Sequence, residues 1–133
     1  MEEKWKKINT ITLKNGTVCE FVGYEVSNLG RVRTYKKKYG YGQRSLNLKP
    51  SIINGRPDSK GYIQYCLSDI NKKRRNFRGH TLVMQIFVGT PDKDEIVCHW
   101  DDIKTNNKIS NLRYATMKEN AEDKNRNNLN KLK

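Results

Sequence analysis

The stretch Ile96–Asn120, IVCHWDDIKTNNKISNLRYATMKEN, decides how this chain is read. Ile96, Val97 and Cys98 form a short β-prone run that ends on His99. Asp101 to Ser110 is polar and asparagine-rich, which predicts a loop, though one of ordered spacing. Leu112 to Ala115 returns as a second short strand. Thr116 followed three residues later by Glu119 fits a capping box, which predicts a helix running to about Asn127. The order is therefore strand, histidine, loop, strand, helix.

Upstream, Thr81 is placed to cap a helix whose Leu82, Val83, Ile86 and Phe87 share one face, and Gly89-Thr-Pro91 ends it. Gly61 to Leu67 alternates as a strand, Asn71 to Asn76 makes a basic turn, and Asn76 to His80 returns as the partner strand. Residues 1–35 read as short strands and turns. Ile11-Thr-Leu13 and Thr17 to Val22 flank Asn15-Gly16, a strong hairpin signal. Tyr24, Val26 and Val32 alternate with polar residues around a turn at Asn28-Leu-Gly30. Residues 34–60 open on Thr34-Tyr-Lys-Lys-Lys-Tyr-Gly-Tyr-Gly-Gln-Arg44, which predicts a mobile loop able to follow a phosphate backbone. Lysine would supply charge there and tyrosine stacking or hydrogen bonds. The expected fold is α+β, with a small antiparallel β-rich region at 1–60 and a second region at 61–133 closed by the C-terminal helix.

The whole chain has 133 residues, 27 Lys+Arg against 14 Asp+Glu, and a formal charge of +13. Such an excess draws polyanions, and nucleic acid is the usual partner. The excess is front-loaded: residues 1–60 carry 13 basic and 5 acidic groups, residues 95–133 carry 8 and 6. A mean hydropathy of −0.94 goes with the lack of any apolar run near the roughly 18–20 residues a spanning helix needs. The first residues lack the apolar core of a secretory signal. No membrane partner is expected. Cys19, Cys66 and Cys98 are far apart and form no CxxC pair, so no disulfide partner is expected either, and reduced thiols in an intracellular compartment are the simplest account.

Metal-assisted phosphodiester hydrolysis needs a base near water, a divalent cation on the scissile phosphate, and something to fix both. A histidine ending one strand and an amide oxygen from the first turn of the following helix can face each other across a narrow gap. His99 is suited to take a proton from water. Asn120 offers a neutral oxygen ligand for a hard cation such as magnesium.

These residues resemble the HNH (ββα-metal) nucleases, in particular the phage and mobile-intron branch. The resemblance runs without a gap through His99, Asp101, Lys104, Asn106, Asn107, Asn111, Leu112, Tyr114, Thr116, Glu119 and Asn120. Gly79-His80-Thr-Leu-Val-Met-Gln-Ile-Phe87 resembles the segment that precedes the motif in that branch. Tyr24 to Arg33, with Trp5 and Ile8 ahead of it, resembles a NUMOD-type motif. What the resemblance implies is a ββα-metal core and a homing-type DNA endonuclease using Mg²⁺ or Mn²⁺. His99 would be the general base, Asn120 a metal ligand, and Asn111 the residue tying the loop to the histidine strand so that the imidazole keeps its position. Asp101, Asn106 and Asn107 would shape that loop. The products would carry 3′-hydroxyl and 5′-phosphate ends.

Two positions depart from the family pattern. Cys98 stands where a second metal ligand, often Asp or Asn, precedes the histidine. It is read either as a small buried packing residue or as a ligand better suited to softer metals. Asp102 stands at a Gly-like turn position, and aspartate tolerates left-handed backbone. His80 is read as structural, with a supporting role in the site as the minority reading.

Double-stranded DNA is the expected partner. Arg31, Arg33, Lys36, Lys37, Lys38 and Arg44 would grip it from the front. Lys118, Lys124 and Arg126 would lie on the C-terminal helix, which in the family rests on the minor groove. The Lys72 to Arg75 turn is a second candidate for backbone contact. The alternative is a non-catalytic DNA-binding protein on a degenerate HNH scaffold.

Overall fold

The structure is a computed structural model that describes residues 2–36 and 46–122. Its elements begin with β1 (Trp5–Lys7), followed by a tight hairpin of β2 (Thr10–Thr12) and β3 (Val18–Glu20). The Asn-Gly signal makes that hairpin as predicted. Asn15 Oδ1 accepts from Thr17 N–H at 2.9 Å, and Gly16 takes φ +87, which a side chain would resist. β4 (Tyr24–Ser27) and β5 (Val32–Lys36) follow, joined by the turn at Asn28-Leu-Gly30. Ser27 Oγ accepts from Leu29 and Arg31 N–H, and Gly30 has φ +88.

The expected loop over residues 34–60 is corrected. β5 continues to Lys36, and Leu46–Ile53 forms an eight-residue strand, β6, paired antiparallel with β5 from Val32↔Ile53 to Lys36↔Leu46. Ile52 and Ile53 are β-branched and favour an extended backbone, β5 offers an edge to pair with, and Pro50 is tolerated because β6 is an edge strand. The resulting sheet has the order β1-β4-β5-β6.

β7 (Arg56–Pro57), β8 (Ile63–Ser68) and β9 (Arg74–Arg78) form a three-stranded antiparallel sheet. Its basic turn is held by Asp69, whose Oδ1 accepts from the N–H groups of Asn71 and Lys73 at 2.9 Å each. β9 runs directly into helix α1 (Gly79–Phe87). The predicted cap at Thr81 is therefore corrected: Arg78 occupies the N-cap without a side-chain cap bond, because Gly79 and His80 already turn helically as they leave the strand. β10 (Glu95–His99) pairs antiparallel with β11 (Leu112–Thr116), and a short 3-10 turn, Ile109–Asn111, precedes the return strand. Helix α2 covers residues 117–122 of the described chain. The remainder of the predicted C-terminal helix, with Lys124 and Arg126, lies outside the described residues, as do Lys37, Lys38 and Arg44.

One apolar cluster links these sheets. It runs from Ile8, Ile11 and Phe21 through Val26, Val32, Leu67 and Phe77 to Leu82, Val83 and Leu112. α1 supplies its centre, since Leu82 and Val83 are fully buried, each contributing about 1.5–3 kcal/mol by area. Phe21 meets Phe77 edge-on at 5.6 Å, joining the N-terminal hairpin to β9. The mixed, strand-rich α+β architecture expected from the sequence is present. Among the described residues no helix is long and apolar enough to cross a membrane. Among the described residues Cys19, Cys66 and Cys98 form no disulfide.

Candidate active site

The β10–β11 hairpin and the first turn of α2 build one cleft. Antiparallel register sets His99 opposite Leu112 and Cys98 opposite Arg113. The capping box forms as expected: Thr116 Oγ1 donates to Glu119 Oε1 at 3.0 Å, and Glu119 N–H donates to Thr116 Oγ1 at 3.3 Å. That pair starts the helix directly after β11, and Asn120, one residue on, then lines the same small cleft as His99. The cleft holds about 30 Å³ and is lined also by Tyr62, Val97, Cys98, Asp102 and Lys104.

The asparagine-rich loop between the strands is braced internally. Asp101 Oδ1 accepts from Ile103 N–H at 2.9 Å and from Asn111 Nδ2 at 2.8 Å, while Asp101 Oδ2 accepts from Asn106 Nδ2 at 2.7 Å. Burial pushes the Asp101 carboxyl up, but these donors and the nearby His99 outweigh it and leave it below the usual carboxylate range. Asn111 returns the contact: its Oδ1 accepts from Asp101 N–H at 3.2 Å, its Nδ2 donates to Asn106 O at 2.9 Å, and its own carbonyl accepts from Trp100 N–H at 2.8 Å. Asn111 thus fastens the backbone just after His99. Asp102 takes the left-handed turn with φ 60, the conformation its place in the motif required.

The bond to the imidazole itself comes from another residue. His99 Nε2 lies 2.9 Å from Oδ1 of the buried Asn107. An amide oxygen can only accept, so Nε2 carries a proton, and in the neutral ring the lone pair is then on Nδ1. The sequence placed Asn107 in the loop but not against the ring; its position in the Asn106-Asn107 pair was the available signal.

Two further aromatic rings stand beside His99. His80 packs edge-on against it at 5.3 Å, and Tyr62 contacts both, at 5.1 Å from His80 and 6.2 Å from His99. His80 is buried and its Nδ1 has no hydrogen-bond partner. Burial first, then the neighbouring His99 and Arg78 against an opposing Asp58, push its pKa down to about 3. It is therefore a neutral ring at ordinary pH. Tyr62 carries two cations over its faces, the Arg78 guanidinium at 4.2 Å and the Lys104 ammonium at 5.0 Å. Asp58 anchors this wall, accepting from Tyr62 N–H at 3.1 Å and from Arg78 Nε at 2.8 Å. Burial works against the Asp58 anion, yet the N–H groups of Lys60 and Tyr62 and the Arg78 guanidinium hold its carboxyl below the usual range. Tyr62 and Arg78 had no motif to mark them in the sequence.

The predicted DNA-contacting cations fall into separate settings. Arg31 pairs with Glu3, its Nε 2.8 Å from Oε2. Arg33 pairs with Glu25 at 2.7 Å and stacks over Trp5 at 4.0 Å. Lys36 donates to Ser68 O at 3.1 Å and sits over Tyr24. Lys118 is exposed on α2, two residues ahead of the cleft residue Asn120.

Asn120 and Asp102, which line the cleft, carry hard oxygen donors of the kind that suits a cation keeping water and phosphate oxygens as its other ligands. Cys98 lines the cleft too, but it is buried, with Sγ 3.8 Å from Ile96 O, and thiol sulfur is a poor match for such a cation. Among the described residues no group of three or more His, Cys, Asp or Glu could hold a metal.

Residues 77–122 match the HNH endonuclease family model HNH_3, and residues 3–68 match the NUMOD4 motif. The uncharacterized HNH endonuclease L245 of Acanthamoeba polyphaga mimivirus is 36% identical over 133 residues, covering 99% of this chain and 33% of that protein. A solved structure described as DNA binding and cleavage by the HNH homing endonuclease I-HmuI is similar at TM-score 0.63 and 28% identity, over 91% of this chain and 57% of that one. The chain thus spans about a third of the viral relative and somewhat more than half of the solved chain. Two matches in family order, on the elements that build the cleft and the sheets ahead of it, show an HNH endonuclease domain at residues 77–122 preceded by a NUMOD4 motif at residues 3–68.

Proposed function

We propose that the protein is a metal-dependent DNA endonuclease of the homing type, with residues 1–60 contacting DNA and residues 61–133 cutting it. The observation that carries this reading is the shared cleft of His99 and Asn120, which come from different elements. His99 Nδ1, with its lone pair available, takes a proton from the attacking water. Asn120, with Asp102 beside it, would hold Mg²⁺ or Mn²⁺, and Cys98 would complete the set only for a softer ion. A divalent cation bound there supplies charge stabilisation to the scissile phosphate and the leaving oxygen. Attack on phosphorus with departure of the 3′ oxygen leaves 3′-hydroxyl and 5′-phosphate ends. Lys104 and Arg78, over the faces of Tyr62, give the cleft a cationic wall suited to the DNA backbone. Similarity to a homing endonuclease structure described with DNA supports the choice of DNA as partner.

The test is cutting of supercoiled plasmid with Mg²⁺ or Mn²⁺ by the wild type, His99→Ala and Asn120→Ala. Cutting by the wild type alone is expected, and equal cutting by His99→Ala would overturn the assignment. The buried thiol at Cys98 favours one second reading, a DNA-binding protein that has lost its cation. Shifted but uncut DNA under every metal tried would select it.

A further inference from the structure

The His99 ring is held by a residue that is itself wedged between two distant segments. Asn107 is 5% exposed and accepts from His99 Nε2 at 2.9 Å. On one side it meets Gly30 of the β4–β5 turn, where a Cβ would fall 2.8 Å from Asn107 Cβ and 3.0 Å from its carbonyl oxygen. On the other it meets Gly79, the first residue of α1, where a Cβ would fall 2.7 Å from Asn107 Nδ2. Two glycines thus make room for Asn107, Gly30 beside its Cβ and backbone carbonyl and Gly79 beside its side-chain amide. The N-terminal turn is fastened to the same loop by Ile109 N–H, which donates to Asn28 O at 2.9 Å, and to β8 by Tyr65 O–H, which donates to Gly30 O at 3.3 Å.

We infer that Asn107 is a positioning residue for the His99 imidazole, held in place by Gly79 of α1 and by the Gly30 turn of the NUMOD4 segment. Its amide oxygen keeps the ring proton on Nε2 and fixes the ring plane, so that Nδ1 is the nitrogen left for proton transfer. The N-terminal segment is then part of the catalytic apparatus as well as a DNA-contacting region. This inference rests on the reading of His99 as general base, but its structural half does not depend on activity.

Nuclear magnetic resonance on the whole chain tests it. The chain has two histidines, so a His80→Gln sample assigns the ring signals. In the wild type the His99 Nε2 proton is expected to exchange slowly with water. Asn107→Ala should abolish that protection, and Asn107→Asp, which keeps an accepting oxygen, should restore it. Gly79→Ala adds a good helix former at a position without backbone strain, where the new Cβ presses hardest on Asn107 Nδ2, at 2.7 Å, and less on the Tyr65 ring, at 3.1 Å. It should speed exchange while circular dichroism stays that of the wild type. With plasmid, Asn107→Ala should lower kcat by about 10–100-fold and leave KM within about twofold, as expected when a reacting group is misplaced. An unchanged Nε2 proton in Asn107→Ala, or kcat within about threefold of wild type, overturns the inference. Undiminished cutting by His99→Ala would instead overturn the reading of His99 as general base, and the proton-exchange result would still stand.

Discussion

Asp101 and Asn111 exchange hydrogen bonds in both directions: Asp101 N–H donates to Asn111 Oδ1 at 3.2 Å, and Asn111 Nδ2 donates to Asp101 Oδ1 at 2.8 Å. The pair closes the loop into a ring of polar contacts whose two ends are β10 and β11. His99 is the last residue before that ring.

Asn111→Ala removes the donor to Asp101 and the acceptor for its N–H, leaving polar groups without partners. A loss of about 2–4 kcal/mol in stability is expected from two or more such bonds. Urea unfolding measures it. Cutting should fall by more than the change in folded fraction explains, because the backbone after His99 is released. Activity loss that only tracks unfolding would show that Asn111 is a fold brace alone.

His80 makes acid stability depend on one buried ring. Its folded pKa is about 3 against the ordinary 6.5, so the unfolded chain binds an extra proton between those values. The sign follows: the contribution is complete above pH 6.5 and is lost as pH falls toward 3. At about 1.4 kcal/mol per unit the loss is on the order of a few kcal/mol. A series of urea midpoints from neutral to acidic pH should show a drop that is shallower in His80→Phe. Parallel curves for the two proteins would contradict the buried neutral ring.

Cys98→Asp puts an oxygen donor where the family often has one. About tenfold less Mg²⁺ should then give half-maximal cutting, with a stability cost of about 1–3 kcal/mol for a carboxylate at a buried position. A magnesium titration of nicking, beside a thermal melt, checks both. An unchanged or greater magnesium requirement would mean that Cys98 only packs.

DNA affinity should be steeply salt-dependent. If about six phosphates are neutralised, log affinity falls with log salt at a slope near −5, from about 0.9 per phosphate. Lys104→Gln should make the slope shallower by about 0.9, with fluorescence anisotropy as the readout. Arg33→Gln should change it less, because Arg33 is already paired with Glu25 and stacked on Trp5. A slope lost through Arg33 and kept in Lys104→Gln would move the DNA path from the cleft to the front sheet.

Much of the local structure was legible because its causes are local. Asn15-Gly16 supplies the backbone its hairpin needs, Thr116 and Glu119 satisfy each other's helix end, and Asp102 takes the left-handed turn. The strand at Leu46–Ile53 was not legible, because lysines, tyrosines and glycines ahead of it carry a loop composition while its pairing partner is β5. The start of α1 was missed for a related reason: Gly79 turns helically straight out of β9 where Asn107 and Tyr65 leave no room for a side chain, and Asn107 lies 28 positions along the chain.

The sequence by itself determined the chemistry on offer, an imidazole at the end of one strand and an amide in the first turn of a helix, because spacing and capping set where each must fall. Tertiary structure alone decided which asparagine meets the imidazole, which ring stays neutral beside it, and which cations face the cleft. Those choices depend on Gly30, Tyr62 and the Arg78-Gly79 pair arriving from three different places in the fold, and close packing between distant segments leaves no periodic trace in the order of residues.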